Sequence, residues 1–237
     1  MKQPVFFLDD LNNNAGDMIS APILEALGMG IELVDRKRRG KLLAVGSIMT
    51  ALRAGDTVWG SGCIRDKNIQ APPASEFLAV RGPLTRKKIK GADIPEIYGD
   101  PGLLLPLIYH PVVAKRHKLG ILPHYIDKAA VDSSEGHLID IQAPWKAVID
   151  EILSCERVVS STLHGIVFCE AYGVPVTWAK YSDNIIGGAF KFQDYFLGTG
   201  RKKQAYWKPI DPIEGLLEIQ KRLMVALSGK YKTKILC

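Results

Sequence analysis

Apolar and polar positions come in blocks along the 237 residues, short buried-type runs alternating with stretches of helical spacing. That order predicts an α/β fold rather than an all-α or all-β one. Val5-Phe6-Phe7-Leu8 predicts a first strand, an Asn-rich turn from Asp9 to Gly16 follows, and a helix is expected from about Asp17 to Leu27. Leu42 to Gly46, Thr57 to Gly60 and Phe77 to Val80 are further buried runs. The last leads into Arg81-Gly82-Pro83, where Pro83 suits the start of a helix holding Leu84 to Lys90. Ile94 to Pro106 reads as a strand end and a Gly/Pro-rich loop, after which the pattern restarts. Lys118 to His124 and His137 to Ile141 predict strands, Trp145 to Cys155 a helix, and Arg157 to Val159 and Val174 to Trp178 two more strands. Pro212 to Leu227 has the spacing of a long amphipathic helix. Two βα units of similar plan result, over residues 1–109 and 110–210, with a helix and basic tail over 211–237. Facing halves of this kind leave a cleft lined by loops at the C-terminal edges of their strands.

The composition is that of an ordinary globular protein, and charges or turn residues interrupt every apolar stretch before it reaches membrane-spanning length. No charged-then-apolar opening segment is recognisable, so a cytoplasmic protein is expected. Cys63, Cys155, Cys169 and Cys237 have neither disulfide nor metal spacing, and Cys155 and Cys169 are expected as buried thiols. The net charge of +6 gathers at Arg36–Arg39, Arg86–Lys88, Arg201–Lys203 and the tail Lys230, Lys232 and Lys234. Such runs read as solvated faces, and are also compatible with an anionic substrate or the anionic inner face of a membrane. Nucleic acid is not an expected partner, because no nucleic-acid module is present and aromatics do not interleave with the basic runs.

Val158 to Phe168 is the stretch richest in chemistry: a buried strand, the turn Ser160-Ser161-Thr162, and an amphipathic helix with His164 in its first turn. Backbone N–H groups and hydroxyls converge there on the positive end of a helix, where an anion fits beside His164. The alternative is that Ser161 or Thr162 caps the helix and His164 lies on the surface. Between the first strand and its helix, Gly16 permits close backbone approach and Asn14 can hold a tight turn; Asp17 as a simple N-cap is the alternative. Arg81 leaves a buried strand directly, so its guanidinium is expected at the sheet edge, gripping a carboxylate or phosphate, unless it forms a structural ion pair. His124 ends the first strand of the second unit and is a further cleft candidate. Glu170 either orients the His164 helix or pairs with a Lys, and Asp100 reads as a turn residue. Nucleophile elbows, metal-ligand clusters and dinucleotide fingerprints are lacking, which leaves anion binding with proton transfer as the expected chemistry.

Taken in order, several of these pieces resemble the polysaccharide pyruvyl transferase family. They are Asn14-Ala15-Gly16-Asp17, Gly60-Ser61-Gly62, Val80-Arg81-Gly82-Pro83-Leu84-Thr85, Gly99-Asp100-Pro101-Gly102-Leu103-Leu104, Leu122-Pro123-His124-Tyr125, Ser161-Thr162-Leu163-His164-Gly165 and Glu170-Ala171-Tyr172-Gly173-Val174-Pro175. Within the family the chain looks most like the short bacterial ketal-pyruvate transferases of the succinoglycan type. The resemblance implies two Rossmann-like domains facing across a cleft, similar to GT-B glycosyltransferases. It also implies transfer of a pyruvate ketal from phosphoenolpyruvate to a sugar of a cell-surface or exopolysaccharide precursor, with a lipid-linked oligosaccharide as one form of acceptor. Arg81 and His164 would then bind phosphoenolpyruvate, with Leu163 and Gly165 shaping the pocket. Asp17 and His124 are the candidates for proton transfer. Phosphoenolpyruvate enters as a substrate, and neither cofactor nor metal is required.

Two other readings share the same cleft. A GT-B-type glycosyltransferase would take a nucleotide sugar, and a sugar- or anion-binding module would bind without turnover; the fold alone does not separate them.

Overall fold

The computed structural model describes residues 2–8 and 14–236; residues 9–13 of the expected Asn-rich turn, and Cys237, lie outside the described residues. The first half runs β1 (Gln3–Phe6), α1 (Ala15–Met18), α2 (Ser20–Ala26), β2 (Ile31–Leu33), β3 (Leu42–Leu43), β4 (Thr57–Trp59), β5 (Ile69–Gln70), β6 (Glu76–Ala79), α3 (Pro83–Lys88) and β7 (Ile89–Lys90). The second runs β8 (His117–Leu122), β9 (His137–Leu138), α4 (Trp145–Leu153), β10 (Cys155–Ser160), α5 (Leu163–Ala171), β11 (Val176–Trp178), α6 (Phe190–Gly198) and α7 (Leu216–Tyr231). One sheet has the order β2-β1-β3-β4-β6, the other β9-β8-β10-β11, and a short β5-β7 pair stands apart. Every strand pairing within them is parallel.

Both large sheets therefore repeat one plan, in which the first strand lies between the second and the third. The winding direction reverses between β1 and β3 in one sheet and between β8 and β10 in the other. Loops leaving the C-terminal ends of such a strand pair diverge to opposite faces and open a crevice, the usual ligand position in parallel α/β sheets. The apolar runs of the sequence are the central strands, covered on both faces: Val5, Leu42, Leu43, Val58, Trp59 and Leu122 are all buried. One core joins the halves, with Val5, Leu103, Ile149, Phe168 and Leu223 in the same cluster.

Several expectations shift. The single helix from Asp17 to Leu27 is two short ones, α1 and α2, meeting at Ile19. Pro22 has no N–H to give Met18, so one continuous ladder cannot form. Asn14 rather than Asp17 occupies the N-cap, its Oδ1 accepting the Gly16 N–H at 2.9 Å. The helix after Thr162 is not amphipathic: α5 is buried on all sides apart from Glu170. The helix expected from Pro212 starts at Leu216, behind Gly215 in the left-handed region. It returns to the first sheet, where Trp59 Nε1 donates to the Leu223 carbonyl at 2.8 Å and Gln220 Nε2 to that of Leu103 at 2.7 Å. The basic tail is docked: Lys230 pairs with Glu76, and the Lys234 N–H donates to the Leu27 carbonyl at 2.8 Å. Glu170 pairs with Arg201 and Tyr195 rather than with a lysine. Among the described residues no helix is long and apolar enough to cross a membrane.

Candidate functional site

Loops from both crevices meet around one pocket of about 130 Å³. Asn14 and Asp17 enter it after β1 and Ser47 after β3, while His124 follows β8 and Thr162, Leu163 and His164 follow β10. Each switch point thus contributes both of its loops, so the pocket's position follows from strand order. The sequence-derived candidates Asn14, Asp17, His124, Thr162, Leu163 and His164 are brought together here.

His164 is 6% exposed, and its Nε2 is buried with no hydrogen-bond partner. Burial, reinforced by the nearby cations Lys191 and Arg81, holds its pKa down at about 3, so the imidazole is neutral at pH 7. Neither half of the capping alternative holds: Thr162 sits at the N-cap position of α5 without a side-chain cap bond, and His164 is not at the surface. Gly16 is the residue that lets the ring in. A Cβ on Gly16 would lie 1.9 Å from Cγ and Nδ1 of His164. Gly165 does not line the pocket; it lies against Leu122 and Ser160, where an added Cβ would come within 2.5 Å of each. Gly16→Ala is therefore expected to displace the imidazole, costing about 1–3 kcal/mol of stability by overpacking. Thermal unfolding and ligand titration check this: a variant with unchanged melting and unchanged anion binding would show that the ring's seat does not matter.

Lys191, on α6, also faces the pocket and is 8% exposed. Burial, with Arg81 nearby, lowers its pKa to about 8. An ammonium here is short of solvation and suited to an anion. Ser161 does not reach the pocket, because its hydroxyl donates to the buried Asp127 at 2.7 Å and accepts the His124 N–H at 2.9 Å. His124 is itself pushed down to about 4, by burial first and Lys191 second. Its Nδ1 accepts the Ile126 N–H at 3.3 Å, so the neutral ring carries its proton on Nε2 and offers a donor rather than a base.

Arg81 takes the structural ion pair, the alternative to gripping a ligand. Its side chain is fully buried and does not line the pocket. Nε lies 3.1 Å from Asp194 Oδ2, Nη1 donates to Ser47 Oγ at 2.7 Å, and Nη2 donates to the Cys63 carbonyl at 2.7 Å. The guanidinium turns inward because Asp194 waits there and because Gly62 leaves room: a Cβ at Gly62 would lie 2.3 Å from Cζ. Its charge is separated from the pocket by Ser47, which is both its acceptor and a pocket wall.

A profile of the polysaccharide pyruvyl transferase family matches residues 33–183, well over half of the chain. The chain belongs to the polysaccharide pyruvyl transferase family. The matched stretch holds Arg81, His124 and Ser161 to Gly165, while Asn14, Gly16, Asp17 and Lys191 fall outside it. The chain is 33% identical over 183 residues to an uncharacterised protein of Acanthamoeba polyphaga mimivirus, covering 69% of this chain and 62% of that one. It is 27% identical over 143 residues to the succinoglycan biosynthesis protein ExoV of Rhizobium meliloti (strain 1021), covering 58% of this chain and 44% of that one. The chain thus spans less than two thirds of the length of either relative. No solved structure matches.

Sequence reasoning missed Lys191 and its helix. The signal was present in this pyruvyl transferase family member: Phe192, Tyr195 and Phe196 recur at helical spacing just after Gly187-Gly188, and all three are buried. That spacing places Lys191 and Asp194 three residues apart on a neighbouring face.

Proposed function

We propose that this protein transfers a pyruvyl group, as a ketal, from phosphoenolpyruvate to a sugar of a polysaccharide precursor, and that the pocket between the crevices binds the donor. The two halves act as Rossmann-like domains in a GT-B-like arrangement. The observation that carries the reading is the buried, unpartnered Nε2 of His164 in a pocket that also holds the Lys191 amine and the start of α5. Phosphoenolpyruvate brings a carboxylate and a phosphate, and a helix N-terminus with a desolvated ammonium answers that charge.

In the reaction the donor's methylene carbon takes a proton and C2 bonds to one sugar oxygen, whose hydroxyl gives up its own. The bond from C2 to the phosphate oxygen breaks, and the second hydroxyl closes the ring as it loses its proton. One proton ends on carbon and one leaves with inorganic phosphate. Lys191, with a pKa of about 8, is the acid best matched to neutral pH, and Asp17, which also lines the pocket, is the candidate acceptor of hydroxyl protons. His164 meets the phosphate. Arg81 acts as a positioning residue, holding Ser47 in the pocket wall and adding positive potential behind it.

An anion beside His164 favours its charged form, so its pKa of about 3 in the free protein rises on binding. At a pH between the free and the bound value, phosphoenolpyruvate binding is therefore expected to take up protons. Calorimetric titration in two buffers of different ionisation enthalpy measures that uptake, and His164→Gln should reduce it while weakening affinity by about tenfold or more. A titration of UDP-glucose serves as the comparison. Binding of the nucleotide sugar with none of phosphoenolpyruvate would overturn pyruvyl transfer in favour of a glycosyltransferase.

A further inference from the structure

A second cavity, of about 160 Å³, lies beside the first. One segment divides them: Ile186 and Lys191 line the donor pocket, while Ile185, Gly188 and Ala189 line the second. The second cavity lies against an aromatic cluster whose partly exposed ring is Tyr206, with Trp178 and Phe192 buried beneath it. Trp178 packs on Phe192 with ring centroids 4.8 Å apart and on Tyr206 at 4.0 Å. Its rim is charged, with Lys180 Nζ 2.5 Å from Asp183 Oδ1 and 5.8 Å from the Tyr206 ring centroid.

Next to it stands Trp207, 54% exposed, with a backbone φ of 60°. A bulky residue in the left-handed region is strained, and such strain persists where the surroundings impose it. Here the Trp207 N–H donates to the Trp178 carbonyl at 2.7 Å, and the indole meets Tyr181 edge-on at 5.3 Å. Burial does not offset the strain, because the residue is more than half exposed. The backbone instead presents an indole surface beside the cavity, one segment away from the donor pocket.

We infer that this cavity receives a hexose ring of the saccharide acceptor and that Trp207 supports the neighbouring sugar. A pyranose has C–H faces that lie against aromatic rings and hydroxyl edges that meet carboxylate and ammonium groups. Both kinds of partner are present, in the Tyr206 and Trp207 rings and in the charged rim. The choice of a saccharide rests on the pyruvyl-transfer reading; the presence of a binding surface does not.

The test uses the whole protein labelled with ¹⁵N at tryptophan, whose four indoles, Trp59, Trp145, Trp178 and Trp207, report separately. The probes are neutral tetrasaccharides of glucose and of galactose, in α- and β-linked forms, at millimolar concentration. Saccharide is expected to shift the signal of exposed Trp207 and leave buried Trp59 unmoved. Trp207→Ala, an exposed change, should weaken saccharide binding by about tenfold and leave phosphoenolpyruvate binding unchanged. Asp183→Asn should weaken saccharide binding as well. If none of the probes moves Trp207, or if Trp207→Ala binds them within about twofold of wild type, the inference is overturned. Saccharide shifts at Trp207 without phosphoenolpyruvate binding would remove the donor reading and keep the surface; the reverse pattern would remove the surface alone.

Discussion

Replacing Lys191 by Met is expected to lower kcat/KM for phosphoenolpyruvate by about 10²–10³-fold, the usual cost of removing one preorganised charge-stabilising donor. The same substitution should leave the fold at least as stable. Burial lowers the ammonium from the ordinary 10.5 to about 8, so keeping it protonated in the folded protein at neutral pH costs on the order of 3 kcal/mol. Met fills similar space without that cost. The sign follows from linkage. Between about pH 8 and 10.5 the unfolded chain binds more protons at this site, so the wild type gains stability relative to Lys191→Met as pH rises through that window, and the gap closes. Donor affinity runs the other way, since the ammonium that attracts the anion is lost above about pH 8 and the variant should lack that step. Steady-state kinetics and urea denaturation across pH check both halves. A variant that stays active, or one that is simply unstable, would remove Lys191 from the site.

The second large effect is structural. Asp194→Ala should destabilise the protein by about 3–5 kcal/mol, because it leaves the Arg81 guanidinium buried and unpaired. A domain's total stability is only about 5–15 kcal/mol, so the denaturation midpoint should move markedly. Asp194 also accepts the Thr85 N–H at 2.8 Å and the Thr85 hydroxyl at 2.6 Å. It therefore ties α6 to the start of α3, and with it the position of Lys191 one turn earlier. Replacing both partners, as in Arg81→Met with Asp194→Leu, should restore much of the stability, since an apolar pair avoids the desolvation of two charges. Donor affinity should stay low in that variant, because Ser47 has lost the Arg81 N–H and the pocket has lost a cation behind its wall. Full recovery of affinity along with stability would limit Arg81 to holding the fold together.

The central strands were readable because a strand covered on both faces must be apolar throughout, as Val5-Phe6 and Leu42-Leu43 are. The short edge strand Ile31–Leu33, partly exposed, carries no such run and passed unnoticed. Pro83 marked the first residue of α3 because its fixed φ and missing N–H suit that position. Pro22 breaks the first helix although the apolar spacing around it predicts a continuous one. The Ser161–Gly165 turn stood out because hydroxyls, a His and a Gly packed between two apolar runs make an unusual local composition. Its individual roles were not readable, since Ser161 is occupied by Asp127 and His124, distant in sequence.

By itself the sequence determined the α/β class, the family and the neighbourhood of His164. Local hydrophobic period and short-range turn chemistry are sufficient for the class and the turn, while the family is carried by the resemblance of the ordered motifs. The tertiary structure alone decided that Arg81 turns inward to Asp194, 113 residues away, and that Lys191 enters the pocket instead. It also decided that His164 is neutral and buried against Gly16. Whether a charged or titratable side chain meets a ligand, a counterion or solvent depends on desolvation and on partners brought together by folding. Neither quantity is written in the residues adjacent to it.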